Sequence, residues 1–171
     1  MQSQHVHQPS AFAFHVEVAR PLFSVLAAAL LLGACASAPP PKTEITGVLQ
    51  ASANVNPSVS KRPSPLMVRV YELKSTTVFN SADFVSLYQR DQAELGAEMI
   101  SREEFTLNPG DSRTLVKTVA AETRHLGVVA AYRDVDHARW RAVVAIAPGR
   151  KHRVVINADE LAITVAATEF K

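Results

Sequence analysis

Leu126-Gly127-Val128-Val129-Ala130-Ala131-Tyr132 is apolar at every position. Both alternating faces of such a strand would be covered, so the run predicts a central strand of a sheet. Downstream, Trp140 to Ile146 places Trp140, Ala142, Val144 and Ile146 on one face, and Ala147-Pro148-Gly149-Arg150 reads as a turn. Lys151–Asn157 and Leu161–Ala166 continue the pattern. Upstream, Ile45–Ala53 and Leu66–Leu73 are strand candidates, the second rich in β-branched residues. Glu104–Leu107 leads into Asn108-Pro109-Gly110-Asp111, and Ser112–Val119 returns. Pro at the second turn position presets φ and Gly at the third accepts φ > 0, which suits a type II turn. Seven or eight short strands with regular turn signals predict an all-β, two-sheet β-sandwich.

One segment departs from this period. Between Ser81 and Leu95, Phe84, Leu87, Tyr88 and Leu95 have helical spacing. Asn80 or Ser81 can cap the start, Asp83 favours the first turn, and Gly96 can end it. The helical insertion is expected to cover an open edge or end of the sandwich rather than to bind a partner.

Ahead of the domain, Leu32-Gly33-Ala34-Cys35 closes an apolar run, Leu22–Leu32, and contains the only cysteine. The run is shorter than the ~20 residues of a membrane span and matches a signal-peptide core. The four residues read as a lipobox: cleavage after Ala34, residues 1–34 removed, Cys35 lipidated with palmitate-type acyl chains. Ala36, rather than Asp, follows the cysteine, which as a class rule for bacterial lipoproteins points to the outer membrane. Met1 to Ala19 carry no Lys or Arg, whereas a signal peptide opens with positive charge. The expected true start is therefore Val16 or Val18, shortly before Arg20. Residues 35–43 form the lipidated cysteine and a linker that includes Pro39-Pro40-Pro41. Extended polyproline at ~3.1 Å per residue would hold a domain of residues 44–171 about 25 Å from the membrane.

Without residues 1–34 the chain has 137 residues and a formal charge of +2, enough for one domain that buries roughly two thirds of its unfolded surface. Its charges are interspersed, so neither a nucleic-acid patch nor a polybasic membrane stripe is indicated. With its one cysteine lipidated it has no intrachain disulfide.

Catalytic motifs are sparse. The domain contains His125, His137 and His152, widely separated. Asp134-x-Asp136-His137 is the densest polar cluster, but one such loop lacks metal-ligand spacing. No nucleophile elbow, P-loop or zinc-protease signature is present. We expect no enzyme, no metal and no cofactor beyond the covalent lipid on Cys35.

The most unusual loop is Asn54-Val55-Asn56-Pro57-Ser58-Val59-Ser60-Lys61-Arg62-Pro63-Ser64-Pro65. Prolines 57, 63 and 65 restrict its backbone, and a rigid exposed loop loses less entropy on binding. Arg62 supplies a planar multi-donor head. Protection of a sheet edge by the prolines is the competing reading.

The same residues carry a family resemblance. Asn54-Val55-Asn56-Pro57, Arg62-Pro63-Ser64-Pro65-Leu66 and Val68–Leu73 resemble the type VI secretion outer-membrane lipoprotein family (TssJ). Ala82-Asp83-Phe84, Leu87-Tyr88, Leu95-Gly96, Leu107–Gly110, Leu126–Asp134 and Trp140-Arg141 extend the match. Lys61 departs from it, where the family often has Gly. The resemblance implies a transthyretin-like sandwich with a helical addition. It also implies a lipoprotein that holds the periplasmic domain of the inner-membrane component (TssM-like) at the outer membrane through loop 54–65. The partner-binding residues carried over are Asn54, Asn56, Pro57, Lys61, Arg62, Pro63 and Ser64. A small-ligand carrier, which would need an apolar pocket, and an envelope hydrolase built on one of the three histidines are the alternatives.

Overall fold

Eight strands build two four-stranded sheets in the computed structural model, which describes residues 41–171. The signal segment, the lipobox at Leu32–Cys35 and linker residues 36–40 lie outside the described residues. In chain order the strands are β1 (Thr43–Ala51), β2 (Leu66–Leu73), β3 (Met99–Leu107), β4 (Ser112–Val119), β5 (His125–Ala130), β6 (Arg141–Ala145), β7 (Lys151–Ala158) and β8 (Ile163–Phe170). One sheet has the order β4-β1-β7-β8 and the other β3-β2-β5-β6. Only β1 and β7 run parallel; the other strand pairs are antiparallel. The apolar run that opened the sequence argument forms β5, interior to its sheet between β2 and β6. The Asn108–Asp111 turn closes with Asp111 N donating to Asn108 O at 3.0 Å and Gly110 at φ 81°.

Boundaries moved at several strands, three of them with a visible cause. β1 starts at Thr43 rather than Ile45, because buried Thr43 accepts the Gly149 N–H on Oγ1 at 2.7 Å. β3 begins at Met99, five residues before the predicted start. It is an edge strand whose outward residues are polar, so hydrophobic alternation fades along it. β8 runs on to Phe170 for the same reason.

The sandwich core lies between the sheets. Ile45 and Leu49 of β1 and Val154 and Ile156 of β7 meet Val68 and Val70 of β2 and Leu126 and Val128 of β5, all buried. The parallel β1–β7 contact is close: a Cβ on Gly47 would stand 1.9 Å from the Val154 carbonyl oxygen, so only glycine fits there.

A second apolar layer lies on the outer face of the β3-β2-β5-β6 sheet. Tyr71, Leu73 and Val129 pack there against Phe79, Leu87 and Leu95. Those three come from the helical insertion, which comprises α1 (Thr77–Ser81), α2 (Phe84–Leu95) and a 3-10 turn at Gly96–Glu98. The insertion thus covers a sheet face, not an edge or an end of the sandwich. The expected cap also shifts. Asn80 and Ser81 belong to α1, while Asp83 caps α2 by accepting from Ser86 N at 2.9 Å.

Two buried carboxylates pin these layers. Asp91, 4% exposed, follows a non-helical Arg90 (φ −138°) and turns under α2. It accepts from the Tyr71 hydroxyl at 3.0 Å and pairs with Arg102 and, at 3.5 Å, Arg69. Glu72 points between the sheets and pairs with Lys117 of β4 at 2.7 Å, while accepting from Ser101, Ala120 N and Thr123. Lys117 also contacts Glu103 of β3, so one cation closes the gap between the two sheets. Burial alone would raise both carboxyl pKa values. Hydrogen bonds from Arg102 and Tyr71 to Asp91, and from Lys117 and Ala120 N to Glu72, outweigh it and hold both below their ordinary range. A depressed carboxylate contributes stability that is complete above its unfolded pKa, about 4, and is lost as pH falls through the folded value. Urea midpoints should therefore fall as pH drops below about 4, and Asp91→Asn should flatten that dependence; a midpoint flat down to pH 2.5 in the unsubstituted chain would contradict it.

Candidate functional site

The twelve residues from Asn54 to Pro65 make up most of the connection from β1 to β2, at the sandwich end remote from Thr43. β1 has nine residues, so at ~3.3 Å per residue this end lies about 27 Å from the point where the linker enters. Asn56 organises the loop. Its backbone sits at φ 49°, a conformation asparagine tolerates better than most residues. Its Nδ2 donates to Pro65 O at 2.7 Å, its Oδ1 accepts from Arg133 N at 2.8 Å, and its backbone N donates to Glu160 O at 3.1 Å. The Ser64 hydroxyl donates to the Asn56 carbonyl. One residue thus ties the β1–β2 loop to the β5–β6 and β7–β8 loops.

The outer part of the loop is a miniature hairpin. Ser58 N donates to Arg62 O and Lys61 N to Ser58 O, each at 2.8 Å. This is the pattern of a three-residue hairpin loop whose last residue is left-handed, the place where glycine is favoured. Lys61 occupies it at φ 61°. A lysine at this position carries a local conformational cost that a glycine would avoid.

Of the predicted binding residues, Asn54, Lys61, Arg62 and Pro63 are exposed and Pro57 is half-buried. Asn56 (3% exposed) and Ser64 (9%) are turned inward, so their position is that of braces beneath the surface. Sequence reasoning passed over Val59, which is fully exposed at the hairpin tip. A depression of about 490 Å³ lies beside it, lined by Pro57, Ser58, Val59, Lys61, Arg133, Asp134 and Leu161. An apolar residue between two serines was the available signal for Val59; nothing in the sequence places Arg133 or Leu161 next to it.

The three histidines do not converge. His152 is buried with Nε2 2.9 Å from Ala147 O, and His125 has a buried Nδ1 without a partner. Exposed His137 has Nδ1 2.7 Å from Asp134 Oδ1, and that hydrogen bond raises its pKa. Among the described residues no three His, Cys, Asp or Glu side chains could together hold a metal, and no helix is long and apolar enough to cross a membrane.

Residues 43–161 match the family model for the type VI secretion lipoprotein (VasD, EvfM, TssJ). The chain belongs to the type VI secretion lipoprotein family. Its structure is similar to that of the T6SS lipoprotein TssJ1 from Pseudomonas aeruginosa, with 38% identity and a TM-score of 0.72 over 78% of this chain and 100% of that one. It is also similar to Serratia marcescens Lip, a membrane-bound component of the type VI secretion system, with 25% identity and a TM-score of 0.65 over 75% and 97% of the two chains. A chain of a type VI membrane complex shares the fold at 23% identity and a TM-score of 0.61, over 75% and 98%. A search of curated proteins finds no match. The transthyretin-like sandwich is thus the fold of a family of secretion-system lipoproteins, a structural rather than enzymatic class.

Lys61→Gly should relieve the left-handed backbone, which costs a non-glycine residue ~1–2 kcal/mol, against the ~0.5–1 kcal/mol of extra chain entropy that glycine loses. A gain of about 0.5–1 kcal/mol in urea unfolding is expected. Asn56→Ala strips partners from Arg133 N and Pro65 O and should cost about 2 kcal/mol. Equal midpoints for all three chains would remove the brace assignment.

Proposed function

We propose that this lipoprotein is a two-ended tether of the type VI secretion membrane complex. Acyl chains on Cys35 hold one end in the outer membrane, on its periplasmic face. Loop 54–65 at the other end binds the periplasmic domain of the inner-membrane component. In this reading translation starts at Val16 or Val18, the segment from there to Ala34 is removed as a signal peptide, and residues 35–43 form the lipidated cysteine and linker. The observation that carries it is the placement of an exposed, internally braced loop one strand length from the linker entry, in a chain of this family. Stable anchoring takes two or more acyl chains, at ~0.8 kcal/mol per buried CH₂.

Neither catalysis nor a cofactor has a part in this. The space between the sheets is filled by side chains such as Leu66, Leu107 and Ile163, which are fully buried. That packing argues against a carrier, which would need an interior apolar pocket.

The two ends should separate by mutation. Cys35→Ser should move the protein to the soluble periplasmic fraction while leaving the purified domain able to bind the partner domain. Arg62→Ala should leave it in the outer-membrane fraction and weaken binding about tenfold in a titration calorimeter, the scale of one lost charge-assisted contact. Wild-type binding by Arg62→Ala together with Lys61→Glu would remove the loop from the interface.

A further inference from the structure

Val59 is an apolar side chain that the domain's own packing does not use; it is fully exposed at the hairpin tip, above a depression with Leu161 in its wall. Lys61 and Arg133 rim the same depression from opposite loops, and Arg62 adjoins it in sequence. Among the described residues, none of these three cations has a carboxylate within ion-pair distance. One carboxylate, Asp134, also lines the depression, and Glu160 lies close by. Asp134 Oδ1 lies 2.7 Å from His137 Nδ1, and Glu160 Oε2 accepts from Asn54 Nδ2 at 3.3 Å. The two walls are fixed relative to each other before any partner arrives, because Arg133 N donates to Asn56 Oδ1 at 2.8 Å.

From this juxtaposition we infer that the partner segment is an acidic peptide stretch with an apolar residue beside its carboxylates, and that it seats between the hairpin tip and the β5–β6 loop. Arg133 is then a recognition residue of the second wall. The inference rests on the reading of loop 54–65 as the partner-binding element. A guanidinium carried on that held backbone offers a planar pair of donors to a carboxylate, and an ammonium on the facing wall adds charge without fixing geometry. The apolar tip supplies the desolvated contact around which such pairs gain strength. A basic segment would meet like charge on both walls.

The test titrates the mature chain with the purified periplasmic domain of the inner-membrane component, at low and moderate salt. Val59→Asp and Arg133→Glu should each raise Kd at least tenfold, and Arg133→Gln by an intermediate factor. The wild-type Kd should rise with salt, as screening predicts for exposed charges. Arg153→Glu on β7, away from the loop, should bind like wild type. If Arg133→Glu and Arg133→Gln bind normally while Arg62→Ala is impaired, the loop reading stands and the groove inference falls. If all of them bind normally, both fall. Sedimentation of the free chain completes the test: a dimer dissociated by Arg133→Glu would mean that a second copy fills the groove, which overturns the inference. Unchanged urea midpoints for the Arg133 variants would show that the fold is intact.

Discussion

The Asn56 side chain is the interaction on which the loop-bearing end of this molecule depends. A carboxamide has few donors and acceptors, and here it meets a carbonyl of its own loop and an amide of the β5–β6 loop. Each of those backbone groups, left unpaired, would cost roughly 1–3 kcal/mol. Loops at a sandwich end ordinarily move independently. Through Asn56 three of them become one surface, and the hairpin carrying Val59, Lys61 and Arg62 is presented on a fixed base. Proline restriction then acts on a loop that is already held at its root, which would lower the entropy that the proposed binding costs.

Much of this architecture was readable from residues, and the failures have physical causes. β5 was legible because burial on both faces leaves an unbroken apolar run, and the Asn108–Asp111 turn because Pro and Gly preset its dihedrals. The helical insertion was recognisable by spacing, but its role was not. A sheet face needing cover looks the same in sequence as a sheet interior, since Tyr71, Leu73 and Val129 are apolar in either case. Asp83 replaced Asn80 and Ser81 as the cap because a separate short helix absorbed those two residues. At the site, the loop itself could be found from its prolines. The division into inward braces and outward contacts could not, because Asn56 and Asn54 are chemically identical and only the fold decides which one is buried. Arg133 and Leu161 come from distant segments and meet the loop only through strand order.

The topology also bears on how a tether would carry load. Force applied between the linker and the β1–β2 loop would run along β1, which joins them. β1 is not an edge strand: eight of its residues pair with β4 on one side and eight with β7 on the other. Pulling along a strand direction loads those ladders in shear, so many hydrogen bonds must fail together, whereas a strand peeled from one end loses them singly. Gly47 allows β1 and β7 to approach closely enough for that pairing, and the Glu72–Lys117 pair ties β4 back to β2 across the sandwich. The strand that begins at the linker and ends at the β1–β2 loop is therefore braced on both sides over most of its length, the arrangement that a tether pulled between those two points would need.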